Sequence, residues 1–139
     1  MSDRIFIDTN VLAYALDAAE PRKQKIASRR LDSEQRRGEL VVSTQVLQEL
    51  YVCLTRGKYP IASSEVAERA VSDAAALTVV QVDTALILEA IAHSRTSKLS
   101  FWDALILRAA AAAGCTALLT EDLNHGQVVD GVRIENPFA

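Results

Sequence analysis

Five short runs of almost unbroken apolar residues, each separated from the next by helical stretches, constrain this chain more than any other feature. They are Ile5–Asp8, Leu40–Ser43, Thr78–Val82, Thr116–Thr120 and a weaker Val132–Glu135. A strand with one face in water alternates polar and apolar residues. Runs without that alternation are covered on both faces, as in parallel sheets whose crossovers are helices. Helical patterns fill the intervals at Asn10–Leu16, Arg22–Arg36, Thr44–Arg56, Ser64–Ala76, Thr84–Ser94 and Phe101–Ala113. Gly38, Gly57 and Gly114 each follow a helical run, where a helix-ending glycine is expected. Pro60 in "RGKYP" keeps the third long helix closed. The pattern is α/β, wound around a small parallel sheet.

The 139 residues fit a single domain, 1–139, with no repeat or linker. Half of the residues are apolar, which excludes a disordered chain. The longest apolar stretch, Phe101–Ala113, is too short to cross a membrane and carries Asp103 and Arg108. The first apolar run is too short for the core of a secretory signal. Cys53 and Cys115 are far apart, as free thiols in a reducing cytoplasm would be. A net charge of −3 argues against a non-specific nucleic-acid coat and leaves room for a local basic patch.

In a sheet of this kind the ligand site lies outside the carboxyl ends of the strands. The polar residues there carry the functional reading. In "RIFIDTNVLAY" the first strand ends in Asp8, Thr9 and Asn10. Asp8 serves there as a helix N-cap or as a site carboxylate. Three capping residues in a row are more than one cap requires. In "CTALLTEDLNHG" a later strand runs into Thr120, Glu121 and Asp122. Alternation places Thr120 and Asp122 on one side and Glu121 on the other. Asp122 is therefore the favoured site carboxylate, with Thr120 as a supporting hydroxyl; a solvated loop is the competing reading.

"LSFWDALILRAAAAAG" is a helix apolar nearly all round, and so buried. Its charges, Asp103 and Arg108, are five residues apart and cannot pair along the helix. Ser100 and Asp103 fit a capping box, a role compatible with a rigidly held site carboxylate. In "STQVLQELYVCLTR", Val46, Leu47, Leu50, Tyr51 and Leu54 form one apolar arc, at about 100° per residue. Glu49 falls just outside the arc, at its boundary beside Cys53. Asp83 reads as a helix N-cap. Asp17, Asp130 and Asn136 are spare candidates. His93 and His125 are isolated, which argues against zinc.

Carboxylates gathered in one cleft repel, so protons or a metal must neutralise some of them. Oxygen-only donors select hard cations, Mg²⁺ or Mn²⁺, which activate water and stabilise charge on a phosphate. Metal-dependent phosphodiester hydrolysis follows.

Four blocks, "FIDTNVLAYALD", "VSTQVLQELYVCLTR", "LSFWDALILRAAAAAGC" and "LLTEDLNHGQVVDGVRIENPF", match in order and spacing those of a known family. The chain resembles the PIN-domain ribonucleases, specifically the VapC-type toxins of bacterial toxin–antitoxin pairs. The resemblance implies an acidic site at Asp8, Glu49, Asp103 and Asp122. Metal would be held by Asp8, Asp103 and Asp122, with Asn10, Thr9 and Thr120 in support. It also implies a five-stranded parallel sheet with helices on both faces, Mg²⁺ or Mn²⁺, an RNA substrate, a homodimer, and an antitoxin that blocks the site. Arg56 and Lys58 are the candidate phosphate contacts. The other basic residues of "RKQKIASRRLDSEQRRG" read as a solvated helix face.

Two readings compete. A phosphoaspartate domain, phosphatase-like or receiver-like, would use Asp8 as nucleophile. The phosphatase pattern wants an Asp where this chain has Asn10, and the receiver pattern lacks its acidic pair and late Lys. A non-catalytic module on the same fold is the other reading, and a complete acidic set argues against it.

Overall fold

The computed structural model describes residues 3–139. The chain runs β1 (Arg4–Ile7), α1 (Thr9–Tyr14), α2 (Pro21–Arg37), β2 (Glu39–Ser43), α3 (Thr44–Thr55), α4 (Ser64–Ala75), β3 (Thr78–Val80), α5 (Thr84–Thr96), α6 (Phe101–Ala112), β4 (Ala117–Leu119), β5 (Val128–Val129) and β6 (Val132–Glu135). One sheet of six strands has the order β3-β2-β1-β4-β6-β5. The pairs among β3, β2, β1, β4 and β6 are parallel, and β5 pairs antiparallel with β6.

Burial follows position in the sheet. Ile5, Phe6, Ile7, Val41, Val42, Leu118 and Leu119 in the three central strands are buried. The edge strand β3 is half-buried throughout, and β6 alternates, with Val132 and Ile134 inside and Arg133 out. Helix α6 lies against β2, β4 and β6 and packs on α5. Helices α1, α3 and α4 close a second apolar cluster around Ala13, Leu50, Leu54, Ala67 and Ala74. Asp83 and Ser100 cap α5 and α6 as expected, accepting from Leu86 N–H at 2.9 Å and Asp103 N–H at 3.1 Å.

The direction of winding decides where a site can form. The chain adds β2 and β3 on one side of β1, then returns to add β4 and β6 on the other. The strand order thus reverses between β1 and β4, which opens a crevice at their carboxyl ends.

The α/β class stands, and the details correct several expectations. The sheet has a sixth strand, the two-residue β5, folded back on β6 through a turn with Asp130 and Gly131 at positive φ. So short a strand carries no periodic signal. Helix α1 begins at Thr9 and ends at Tyr14, because Asp8 is its cap. Tyr51 is 41% exposed although it belongs to the apolar arc of α3, whereas Leu50 and Leu54 are fully buried. Gly57 and Gly114 take the positive φ of helix-ending glycines, but Gly38 does not: its backbone is extended, at φ −158°. Its requirement is space. A Cβ there would stand 2.3 Å from the Asp3 carbonyl oxygen, which accepts the Glu39 N–H at 2.9 Å.

Gly38→Ala is therefore expected to destabilise the fold by about 1–3 kcal/mol, the usual cost of forcing an atom into a filled space. A urea titration should show a lower midpoint with an unchanged far-UV spectrum. An unchanged midpoint would mean that the Asp3 backbone yields freely.

Candidate active site

The pairing of β1 with β4 builds the floor of the crevice. Ile7 stands opposite Leu119, and the Asp8 N–H donates to the Leu119 carbonyl at 3.0 Å. The next residues of the two strands, Asp8 and Thr120, are thereby side by side. The Thr120 hydroxyl donates to Asp8 Oδ2 at 2.8 Å, and the Thr9 N–H donates to Asp8 Oδ1 at 2.7 Å. Asp8 is both the cap of α1 and a buried site carboxylate, with one oxygen serving each role.

Asn10 ties the strand ends together. Its Nδ2 donates to Asp122 Oδ2 at 3.0 Å and lies 3.5 Å from Asp8 Oδ2, while its Oδ1 accepts the Glu121 N–H at 3.2 Å. The Asp122 N–H donates to Thr120 Oγ1 at 3.1 Å. Glu121 points elsewhere, to Lys23 Nζ at 2.6 Å and the Tyr14 hydroxyl at 2.9 Å, as alternation requires. Glu49 arrives on α3, where the Thr9 hydroxyl donates to its Oε1 at 3.3 Å. Asp103 arrives on the first turn of α6.

The charges of these four carboxylates are felt mutually. Burial pushes the Asp8 carboxyl up to about 6; its hydrogen bonds from Thr120 and Thr9 oppose the rise, and the neighbouring Asp122 and Glu49 add to it. Burial also raises Glu49, helped by Asp103 and Asp122, and raises Asp103, helped by Asp122. Among the described residues none of the four makes an ion pair, whereas Glu34, Glu39, Glu89, Glu121, Asp130 and Glu135 all do.

A cleft of about 520 Å³ opens above Asp8, Thr9, Asn10, Glu49 and Asp122, with Arg56 in its wall. It continues past Asp122 into a second recess lined by Tyr14, Asp17, Ile61 and, again, Arg56. Asp103 lines neither recess and meets the cleft residues through its field. Lys58 stands outside both, beside the exposed ring of Tyr59. Four of the seven basic residues on α2 are paired with carboxylates: Lys23 with Glu121, Arg30 with Glu34 and Glu135, Arg36 with Asp32, and Arg37 with Glu34. Of the spare candidates, Asp130 pairs with Arg108, and Asn136 accepts the Phe138 N–H. The sequence reading passed over Gln45. It is buried, lies one helical turn before Glu49, and its Nε2 is 3.5 Å from the Trp102 carbonyl at the start of α6. Its spacing from Glu49 was the available signal.

The donor set suits a hard divalent cation in chemistry: carboxylate oxygens, mutually repelling and without basic partners. Among the described residues no three or more acidic, imidazole or thiol side chains are gathered closely enough to hold a metal ion by themselves, so water or a substrate phosphate would have to complete the coordination of a hard cation here.

The family model for the PIN domain matches residues 5–130. The chain belongs to the PIN-domain family. Solved structures with the same fold include Mycobacterium tuberculosis VapC20, a toxin that cleaves the sarcin–ricin loop (24% identity, 82% of this chain and 86% of that one, TM-score 0.62). They include a toxin–antitoxin complex from Klebsiella pneumoniae (17% identity, 96% and 97%, TM-score 0.68). A third is DNA-bound VapBC from Salmonella typhimurium (20% identity, 99% of both chains, TM-score 0.66). No curated protein is significantly similar in sequence. Among its described residues, the PIN domain has no helix long and apolar enough to cross a membrane.

The raised Asp8 sets a pH dependence for this PIN domain. A carboxyl raised in the folded state favours the protonated form, so its contribution is full below the unfolded value near 4 and is lost as pH rises through about 6. Two pH units correspond to ~3 kcal/mol. In chelator, Asp8→Asn should gain melting temperature over the wild type as pH rises from 4 to 7. Parallel melting curves across that range would contradict the assignment.

Proposed function

We propose that this single PIN domain is a metal-dependent endoribonuclease and the toxin of a toxin–antitoxin pair, working in the cytoplasm. The reading is supported by Asp8, Glu49 and Asp122 lining one cleft with no ion-pair partner among the described residues, and by Asp103 lying near enough for its charge to raise Glu49. Structural neighbours that are VapC toxins or toxin–antitoxin complexes support the biological role.

In this reading Asp8, Asp103 and Asp122 hold Mg²⁺ or Mn²⁺. When bound, such a cation lowers the pKa of coordinated water and neutralises charge developing on the phosphate. The chain's own residues do the rest. Thr120 and the Thr9 N–H hold Asp8 in one rotamer. Asn10 holds Asp122. Thr9 holds Glu49 by Oε1, and the raised carboxyl of Glu49 takes a proton from the attacking water more readily than an ordinary glutamate. Arg56, which makes no ion pair among the described residues, offers its guanidinium to a substrate phosphate. A phosphoaspartate mechanism is disfavoured because Asn10 stands where the phosphatase pattern wants a second Asp.

The cluster's negative field would also attract an arginine from an inhibitory antitoxin, which takes over the cation's neutralising role. A recess of about 300 Å³ lined by Leu12, Leu16, Leu31, Leu50 and Leu77 offers an apolar seat for a helix of that partner. A homodimer is expected on the same family grounds.

Asp8→Asn and Asp103→Asn should each reduce RNA cleavage in Mg²⁺ by about 10²–10⁴-fold, as loss of acid–base or metal-holding groups does, and chelator should abolish wild-type cleavage. Mapping the RNA ends by sequencing checks this; full activity in either variant or in chelator would refute the metal mechanism. RNA affinity should fall with salt, with a slope of roughly 0.7 per phosphate contact, made shallower by Arg56→Ala. Expression of this chain alone should arrest growth, and co-expression of the adjacent small reading frame should restore it.

A further inference from the structure

The turn that carries Asp122 lies beyond the last ladder residue of β4, Leu119. Thr120, Glu121 and Asp122 therefore lack strand pairing on the β1 side, so alternation turns Glu121 away from Asp122 with no ladder bond to β1 to hold either side chain in place. The turn's backbone N–H groups donate to the Glu135 carbonyl from Thr120 at 3.0 Å, to Asn10 Oδ1 from Glu121 at 3.2 Å and to Thr120 Oγ1 from Asp122 at 3.1 Å, and none of these bonds holds the Glu121 side chain.

Glu121 is held from the far side by a group that touches none of the four cleft carboxylates. Lys23 Nζ, near the start of α2, donates to Glu121 Oε2 at 2.6 Å and to the Tyr14 hydroxyl at 3.3 Å. The Tyr14 hydroxyl, at the end of α1, donates to Glu121 Oε1 at 2.9 Å. Both Glu121 oxygens are thus engaged. The ammonium also sits 4.6 Å from the Tyr14 ring centroid and 5.4 Å from that of Phe138, and the two rings meet edge to face at 5.1 Å. Lys23 and Glu121 are only about a quarter exposed. Charge, hydroxyl and two aromatic faces converge on one ammonium, well beyond what a solvated surface pair requires.

We propose that Lys23 and Tyr14 form a latch that fixes Glu121 on the far side of the turn, away from Asp8 and Glu49, and thereby sets Asp122 against Asn10 for the reaction. They are positioning residues. The inference rests on the reading that Asp122 belongs to the active site. It explains why an acidic residue next to Asp122 adds no fifth free carboxylate to a cluster already short of positive charge.

The test uses the full chain with three substitutions. Lys23→Met keeps the stem against the rings but removes the charge and its donors; Lys23→Arg restores both; Tyr14→Phe removes only the hydroxyl. The first readout is amide hydrogen exchange followed by NMR, without RNA or metal. Lys23→Met should speed exchange at Glu121 and Asp122 by roughly tenfold while Phe6 and Leu118 in β1 and β4 keep their protection. Tyr14→Phe should act in the same direction, and Lys23→Arg should return to wild type. The second readout is steady-state RNA cleavage in Mg²⁺. A misplaced Asp122 should lower kcat by on the order of tenfold with KM little changed, and Lys23→Arg should recover kcat. Unchanged exchange at Glu121 and Asp122 in both Lys23→Met and Tyr14→Phe would overturn the latch. So would a loss confined to KM, which would make Lys23 a substrate contact. If the wild type cleaves no RNA, the proposed function fails, while the exchange experiment still decides whether the latch exists.

Discussion

The parallel pairing of β1 with β4 is the contact on which the rest of this PIN domain depends. Its register, with Ile7 opposite Leu119, delivers Asp8 and Thr120 to the same height at the edge of the sheet. A shift of one residue would turn Asp8 to the other face, because side chains alternate along a strand. The register is held by burial on both sides: Phe6, Ile7, Leu118 and Leu119 are wholly enclosed. The same pairing marks the reversal of strand order, so the crevice expected at such a reversal opens where these polar side chains emerge.

Around that floor, separate packing units bring the remaining groups. Glu49 depends on α3, whose inner face is locked to α1 and α4 through Leu50 and Leu54. Asp103 depends on α6, whose buried face of Ala104, Leu105, Leu107 and Ala110 leaves the helix no freedom to rotate. Gln45 joins these units by reaching from α3 to the Trp102 carbonyl. The carboxylates are thus rigid before any ligand arrives, which lowers the entropic cost of assembling the site.

Rigidity and repulsion work against each other here. Several acids elsewhere are neutralised: Glu34 and Glu135 meet Arg30, Asp130 meets Arg108, and Glu121 meets Lys23. At the crevice it leaves Asp8, Glu49, Asp103 and Asp122 uncompensated, and burial raises Asp8 to about 6. A carboxylate cluster of this kind would gain the energy of relieved repulsion on meeting a cation or a guanidinium. Asn10 and Thr120 keep the strain local by spending their hydrogen bonds on the carboxylates that need them.

Much of this was legible along the chain, because strands and helices are read from neighbours a few residues apart. The unbroken apolar runs named the parallel strands, the all-apolar stretch from Phe101 named the buried helix, and alternation beyond Leu119 separated Asp122 from Glu121. Asp83 and Ser100 were recognisable as caps for the same local reason. Contacts between distant segments were not legible, since no local period encodes them. Only the folded chain shows that Gly38 must stay small because the Asp3 carbonyl lies against it. Only it shows that β5 folds back on β6, that Tyr51 turns outward, and that Lys23, 98 residues before Glu121, pairs with that side chain. The sequence by itself determined which elements form and which carboxylates end them. Tertiary packing decided which of those carboxylates stand together unpaired, because the distance between charges on separate elements is set by the core between them.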